Sequence, residues 1–326
     1  MALQIFSYMA HSGGVADDTT LEMITAAKAI DPNASVTAIA IGSGAHLDAV
    51  CKEVAATYSE VWKVGNDALA YPNAEIYRGI LERILPKGSI FLAPNTTFGM
   101  DLLPGLSIKR DTVYLSDVVG FEGIEGGKLK AIRQEYSGQV STHVQADIST
   151  GAVISTRGGS FKANESKSAS GKVVDKSADA LAGGVPKSTR KFLEIVVAEA
   201  GDVDITKSDV LVSIGRGIGE EDNIPIAQEL ADALGAVVSC SRPIVDAKWL
   251  EKSRQVGTSG QTVKPKVYMA MGISGSFQHL GGLKGNPFII AINKNAKAPI
   301  FQVAQIGVEG DILEYMPALT GKIKAM

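Results

Sequence analysis

The chain has 326 residues, 32 basic and 35 acidic, for a net charge of -3, and 45% of its residues are apolar. That length exceeds what one hydrophobic core usually reaches, so two folded domains are expected. The balanced charge leaves no basic block able to track a phosphodiester backbone, which excludes nucleic acid as a partner.

No window approaches the roughly 20 apolar residues of a spanning helix, so no membrane insertion is expected. The opening MALQIFSYMAHSGG has neither a charged n-region nor a cleavage site, and on that reading the chain starts at Met1 and stays in the cytoplasm. Cys51 and Cys240 stand far apart outside any C-x-x-C spacing, and His11, His46, His143 and His279 are scattered, so neither a disulfide framework nor a metal site is expected.

In chain order, residues 3–10 (LQIFSYMA) predict a strand, 19–31 a helix capped by threonine, and 35–42 (SVTAIAIG) a second strand. The alternation continues through a helix in AHLDAVCKEVAATY, a strand in EVWKVG, a helix in AEIYRGILERIL and a strand in SIFLAPN. Such a β-α-β series predicts a largely parallel, doubly wound sheet. After residue 112 come the β-rich segments DTVYLSDVVGFE, KLKAIRQEY and AVISTRGGSF. Residues 163–190 read as a surface excursion, and KFLEIVVAEA at 191–200 as a closing β segment. A boundary near residue 203 gives domains 1–202 and 203–326.

The second domain predicts a strand (VLVSIG), a helix (NIPIAQELADALG), strands AVVSCS and KVYMAMG, and a short helix at QHLGG. Strands FIIAIN and PIFQVAQIG and a helix at DILEYMPALTGK follow. This is a second doubly wound layout, whose polar loops fall at strand C-termini, where such sheets bind ligands.

Those loops hold the candidate chemistry. In 267–282 an apolar strand breaks into Gly272-Ile273-Ser274-Gly275 and restarts at Gln278-His279, a pattern that can aim backbone N–H groups at a phosphate. Arg216 lies between glycines after a strand, placed equally well for a pyrophosphate or for solvent. The stretch SIGRGIGEED fails G-x-G-x-x-G because Glu220 occupies the third glycine position, which disfavours a nicotinamide dehydrogenase. Arg242, after Ser241, can place a cation beside a ligand or pair with Asp246. VGTSG at 256–260 offers the Ser259 hydroxyl or is an ordinary turn.

GISGS at 272–276 resembles a nucleophile elbow, but Ser276 replaces the last glycine and His279 is too close in sequence to be a triad base. An esterase is therefore rejected. His279 follows the glycine cradle, Asn293 ends a strand as ligand donor or turn former, and Asp311 with Glu314 forms a D-x-x-E capping box.

In order and spacing, SIGRGIGEED, SCSRPIVD, RQVGTSGQTVKP, VYMAMGISGSFQHLGG, AINKNAKAPIF and GVEGDI resemble the C-terminal half of the electron transfer flavoprotein alpha subunit family. A fainter likeness lies in APNTTFGMDLLPGLS and YLSDVVGFE, where the family's LLPR reads LLPG. The resemblance implies FAD in the second domain. Arg216 would contact its phosphates, Ser241 and Arg242 would lie by the isoalloxazine, and the loop Val256, Gly257, Thr258, Ser259 would bring Ser259 to N5. Ser274, Gly275, Ser276, Phe277, Gln278 and His279 would wrap the pyrophosphate and ribityl chain, with His279 near O2, while Asn293, Asp311 and Ile312 would hold the adenosine end.

Two departures stand out: the family's VGQTG-Lys is VGTSG-Gln here, and its Asp-Tyr-Gly is Gln305-Ile306-Gly307. The resemblance further implies an electron carrier without catalytic residues of its own, heterodimeric with a beta subunit on which the first domain packs. It would serve acyl-CoA dehydrogenases in fatty acid beta-oxidation, with a ferredoxin, a flavodoxin or a membrane quinone oxidoreductase as further partners. A bifurcating version, with NADH and a second FAD in the beta subunit, would add oxidoreductase activity. The rival from another class is an adenine-nucleotide-binding module without redox activity.

Overall fold

A computed structural model describes residues 3–136, 140–164, 166–167, 170–195, 203–285 and 287–325. Two compact units divide the chain, Met1–Leu193 and Glu194–Met326. The expected boundary near 203 adjoins residues 196–202, which lie outside the described residues.

The first unit opens with β1 (Gln4–Tyr8), a small hairpin of β2 (His11–Ser12) and β3 (Val15–Ala16), α1 (Thr19–Ile30), β4 (Ser35–Gly42) and α2 (Gly44–Ala55). Then come β5 (Glu60–Gly65), α3 (Ala74–Ile84), β6 (Ile90–Pro94), α4 (Thr97–Arg110), β7 (Val113–Glu125), β8 (Lys128–Glu135) and β9 (Val140–Asp147). It ends with β10 (Ala152–Thr156), β11 (Lys172–Asp175) and α5 (Ser177–Ala180).

The nine-stranded sheet runs β11-β5-β4-β1-β6-β10-β7-β8-β9. It is parallel as far as β7, and β8 and β9 extend it antiparallel. Period-two alternation divides each strand between two layers. Ile5, Ala38, Ala40, Ile90 and Leu92 pack with residues of α1 and α2, while Phe6, Ile39, Ile41, Phe91 and Ala93 pack with α3 and α4. Burying each of the Ile, Leu and Phe side chains among them contributes about 1.5–3 kcal/mol.

Several expectations are corrected here. No threonine caps α1: Thr19 is its first residue and Asp18 its N-cap position, and the Asp17 carboxylate accepts from the Thr19 N–H at 2.9 Å and the Thr19 hydroxyl at 2.6 Å. The excursion at 163–190 contains β11, which pairs with β5 at the sheet edge. Residues 191–195 form no strand, and the rest of the β-like run lies outside the described residues.

Helix α4 contains Gly99, Pro104 and Gly105, which obscure it in the sequence. It is held by the Thr96 hydroxyl, which accepts from the Gly99 N–H at 3.1 Å, and by the fully buried Leu102, Leu103 and Leu106. At Gly105 a Cβ would stand 2.6 Å from Arg78 Cζ, so the guanidinium of α3 lies directly over that glycine and reaches the Asp101 carbonyl at 3.0 Å.

The second unit comprises β12 (Val210–Ile214), α6 (Ile224–Leu234), β13 (Val237–Cys240), α7 (Arg242–Asp246), β14 (Val267–Met271), α8 (Phe277–Leu280), β15 (Phe288–Asn293), β16 (Ile306–Glu309) and α9 (Ile312–Lys324). Its five strands are all parallel in the order β13-β12-β14-β15-β16. The expected strand PIFQVAQIG is corrected: Pro299–Gln302 is a 3-10 turn and only Ile306 onward pairs with β15. Proline at the start of that segment offers no N–H to a ladder.

Helices α6 and α9 cover one face of this sheet, over Val212, Ile214, Met269, Met271 and Ile292. The other face carries Leu211, Tyr268, Ala270, Ile289 and Ala291, and loop residues Val256, Val263, Ile273 and Ile300 cover it. Loops therefore close one side of the layer, directly beside the strand ends. No helix among the described residues is long and apolar enough to cross a membrane.

Candidate functional site

Strand β12 pairs with β13 on one side and β14 on the other, so the chain reverses its direction of travel around β12. A crevice is expected outside the strand C-termini at that reversal. A cavity of about 560 Å³ lies there, within the size range of small-molecule sites. It is lined by Gly215, Arg216 and Gly217 after β12, and by Ser241, Arg242, Pro243 and Asp246 after β13. The loop residues Gln255, Val256, Gly257, Thr258 and Ser259 close one side, and Gly272, Ile273, Ser274, Ser276, Gln278, His279 and Asn293 complete it.

Of the residues expected from sequence, Arg216, Ser241, Arg242, Val256, Gly257, Thr258, Ser259, Ser274, Ser276, Gln278, His279 and Asn293 thus line one cavity. Gly275, Phe277, Asp311 and Ile312 lie outside its lining. Gly275 is packed against Ile300, Phe277 is exposed, and Ile312 is buried in the core under α9. Asp311 caps α9 by accepting from the Leu313 N–H at 3.0 Å, and its other oxygen holds Lys294 at 2.7 Å. Sequence reasoning missed Gln255, Gly215, Gly217 and Asp246 as wall residues. Gln255 precedes the noticed loop by one position, and its polar side chain is only 4% exposed.

Glycines shape the floor. Gly272 has φ +66°, and a Cβ there would stand 2.7 Å from Gly217 Cα. The loops after β12 and β14 touch backbone to backbone at this point, with the Gly217 N–H donating to the Gly272 carbonyl at 3.2 Å. A left-handed residue at such a contact must be glycine. The following loop is fastened by Asn293, whose amide donates to the Ile273 carbonyl at 2.9 Å while its oxygen accepts from the Asn295 N–H at 2.9 Å.

The lining carries two guanidinium groups, Arg216 and Arg242, against one carboxylate, Asp246. Among the described residues the Arg216 guanidinium makes no ion pair or hydrogen bond. Arg242 Nε lies 3.4 Å from Asp246 Oδ2, one turn along α7, with both side chains largely exposed. A pair of that kind is worth only a few tenths of a kcal/mol, about 0.3–0.5, and yields readily to a better anion.

At His279 the lining rests on a buried polar cluster. His279 is 5% exposed, and the Tyr268 hydroxyl lies 2.7 Å from its Nε2. Its Nδ1 has no partner in hydrogen-bond geometry, although the Val256 carbonyl acts on the ring from a looser position. Burial is the dominant influence and holds the imidazole pKa down at about 4, with Val256 opposing it, so the ring is neutral at pH 7. Desolvation likewise raises the Tyr268 hydroxyl well above its ordinary range, so it stays protonated.

These features test the fit of a flavin dinucleotide. A dianionic pyrophosphate matches a net positive wall, the glycine floor admits close backbone approach, and hydroxyl and amide groups suit a ring bearing several heteroatoms. The donor set fits. No group of three or more His, Cys, Asp or Glu side chains able to hold a metal occurs among the described residues.

Comparison with known proteins agrees with that chemistry. Residues 5–181 match the electron transfer flavoprotein domain, and residues 204–284 match the electron transfer flavoprotein FAD-binding domain. The chain is 31% identical over 326 residues to an electron transfer flavoprotein subunit alpha of Thermoanaerobacterium thermosaccharolyticum, covering 99% of this chain and 98% of that one. It is 34% identical over 311 residues to that of Pseudomonas aeruginosa, covering 95% and 96%, and 39% identical over 238 residues to that of Methylophilus methylotrophus, covering 73% and 72%. The chain belongs to the electron transfer flavoprotein alpha subunit family, and its second unit carries that family's FAD-binding domain.

Proposed function

We propose that this chain is the alpha subunit of a heterodimer with an electron transfer flavoprotein beta subunit, holding FAD in the cavity of its second unit. Electrons would pass between acyl-CoA dehydrogenase-type donors and further redox partners. The observation that carries the reading is the convergence on one cavity of two guanidinium groups, a glycine floor and a file of hydroxyl and amide donors.

Bound FAD supplies one- and two-electron chemistry at its isoalloxazine ring. Arg216 would pair with the pyrophosphate, its guanidinium having no partner among the described residues. Ser241 and Arg242 would stand beside the isoalloxazine, where the charge of Arg242 favours the more negatively charged, reduced cofactor. Ser259 would offer its hydroxyl to N5. His279, neutral at pH 7, would approach O2 as a hydrogen-bonding group without adding charge. Asn293 would act chiefly by fixing the Ile273 carbonyl, since both ends of its amide are engaged. The first unit would pack on the beta subunit.

Co-expression with a beta subunit, purification of the pair and quantification of released FAD and of free adenine nucleotide test this reading. One FAD per pair supports the carrier. Two FAD per pair would make electron bifurcation with NADH the better reading, and an adenine nucleotide without flavin would favour a non-redox binding module. No flavin, even after reconstitution with excess FAD, contradicts the assignment.

A further inference from the structure

Ser259 is exposed on the cavity wall, and the one side chain that bonds its hydroxyl among the described residues is Gln255, whose Nε2 donates to Ser259 Oγ at 2.9 Å. An amide NH₂ can only donate, so Oγ must accept, and the serine keeps its single proton for something else. A serine side chain has three open rotamer wells and no second substituent on Cβ to choose among them. The Gln255 bond therefore supplies the restraint that the residue itself lacks.

Gln255 is well suited to do so. It is 4% exposed, and its backbone is pinned on both sides, with its N–H donating to the Lys252 carbonyl at 3.1 Å and its carbonyl accepting from the Gln261 N–H at 2.6 Å. The loop folds back on it so closely that a Cβ on Gly260 would collide with the Gln255 carbonyl. A rigid residue thus holds a mobile hydroxyl at the cavity wall.

We propose that Gln255 is a positioning residue: by occupying a lone pair of Ser259 Oγ, it reserves the serine proton for the flavin N5. The inference rests on the reading that Ser259 faces the flavin ring, and the test separates the two. In the FAD-loaded complex with the beta subunit, Gln255→Met keeps the side-chain length and removes the donor, Ser259→Ala removes the hydroxyl, and Ser259→Thr adds a methyl that restricts χ1. The readouts are the visible absorption spectrum of the bound flavin, its midpoint potential and its dissociation constant.

Gln255→Met is expected to shift the spectrum and potential in the same direction as Ser259→Ala. It should weaken FAD binding by up to ~tenfold, the equivalent of one hydrogen bond. Adding Ser259→Thr to Gln255→Met is expected to recover at least half of the shift, because the branched side chain restores the rotamer restraint. If Ser259→Ala shifts the flavin and Gln255→Met does not, Gln255 has no positioning role and the proposal fails while the N5 reading stands. A Gln255→Met shift that Ser259→Thr leaves unchanged also overturns it, since Gln255 then acts on the flavin directly. No shift in Ser259→Ala removes the N5 reading and the proposal with it. Should Gln255→Met fail to fold, Gln255→Asn, whose amide falls one methylene short of Oγ, is read the same way.

Discussion

At the scale of single residues, His279 links the site to the stability of the chain. Its imidazole is held near a pKa of about 4 in the folded protein against 6.5 for the free group, chiefly by burial. Between those two values the unfolded chain binds more protons than the folded one, so stability rises with pH across the window and is lost as pH falls through it. The effect is at most about 3 kcal/mol. Urea unfolding of the wild type between pH 7 and pH 4.5 should therefore show a component that His279→Gln lacks. Parallel pH profiles for the two proteins would contradict the assignment.

Tyr268 is the partner of that imidazole. Tyr268→Phe preserves the ring volume in a fully buried position and removes the hydroxyl that bonds His279 Nε2. A loss of about 1–3 kcal/mol is expected in denaturant unfolding, the cost of leaving a buried ring nitrogen unpaired. An unchanged unfolding midpoint would show that the bond carries no stability.

At the scale of elements, glycine contacts dominate the expectations. In Gly105→Ala the new Cβ meets Arg78 Cζ at 2.6 Å and must displace the guanidinium from its place between α3 and α4. That guanidinium is the far end of a flexible, half-buried side chain and can swing aside, while alanine in a helix interior gains about 0.8–1 kcal/mol over glycine. The unfolding midpoint is therefore expected to stay nearly unchanged, with flavin content unchanged because this contact lies in the first unit. A midpoint lowered by the equivalent of about 2 kcal/mol would show that the guanidinium cannot move. Arg78→Lys should be the more destabilising change, since Lys cannot present the planar group that lies over the glycine and bonds the Asp101 carbonyl.

Elements with clean periodicity were legible in the sequence: β4, β5 and α6 agree closely with their predicted ranges, and the parallel order follows from their alternation with helices. Those that escaped had local signals pointing elsewhere. Helix α4 carries two glycines and a proline and depends on Thr96 and tertiary packing. Strand β9 alternates small polar and apolar residues at the exposed end of the antiparallel arm. Strand β11 is four residues long inside a Ser- and Lys-rich stretch, and α7 is five residues long and starts with Arg242-Pro243, where proline masks a helix although it is well tolerated in a first helical turn.

The site was legible in a different way. Arg216, Arg242 and His279 stood out because of where they sit relative to strand ends, and the fold brings those ends together. Gln255 did not stand out, because its meaning lies in one hydrogen bond across the loop to Ser259, which no spacing rule announces. The alternative of an Arg242–Asp246 pair is also realised, at 3.4 Å and exposed. Such a pair leaves the guanidinium available to a stronger anion.

At the scale of the whole molecule, each unit is a doubly wound sheet, and they differ in what covers them. Helices flank both faces of the first unit's sheet, whereas one face of the second unit's sheet is closed by loops that also form the cavity wall. Segments of that sort open and close more cheaply than packed helices. Bound FAD should therefore stabilise the second unit by mass action, by about 2.7 kcal/mol at a hundredfold excess over the dissociation constant. Amide hydrogen exchange should slow in residues 254–282 on loading with FAD. Equal exchange in the loaded and flavin-free complexes would contradict the placement of the cofactor.

The most direct test of the central claim is a titration of FAD into the flavin-free complex with its beta subunit, wild type against Gly272→Ala, followed by quenching of flavin fluorescence. Gly272 has φ +66° and touches Gly217, so a methyl group there must part the two loops that form the cavity floor. Each wild-type alpha chain is expected to take up one FAD, and Gly272→Ala to bind it at least ~fivefold more weakly, from backbone strain of about 1 kcal/mol or more. Wild-type complex that takes up no FAD, or a Gly272→Ala variant that binds it as tightly as the wild type, would contradict the account.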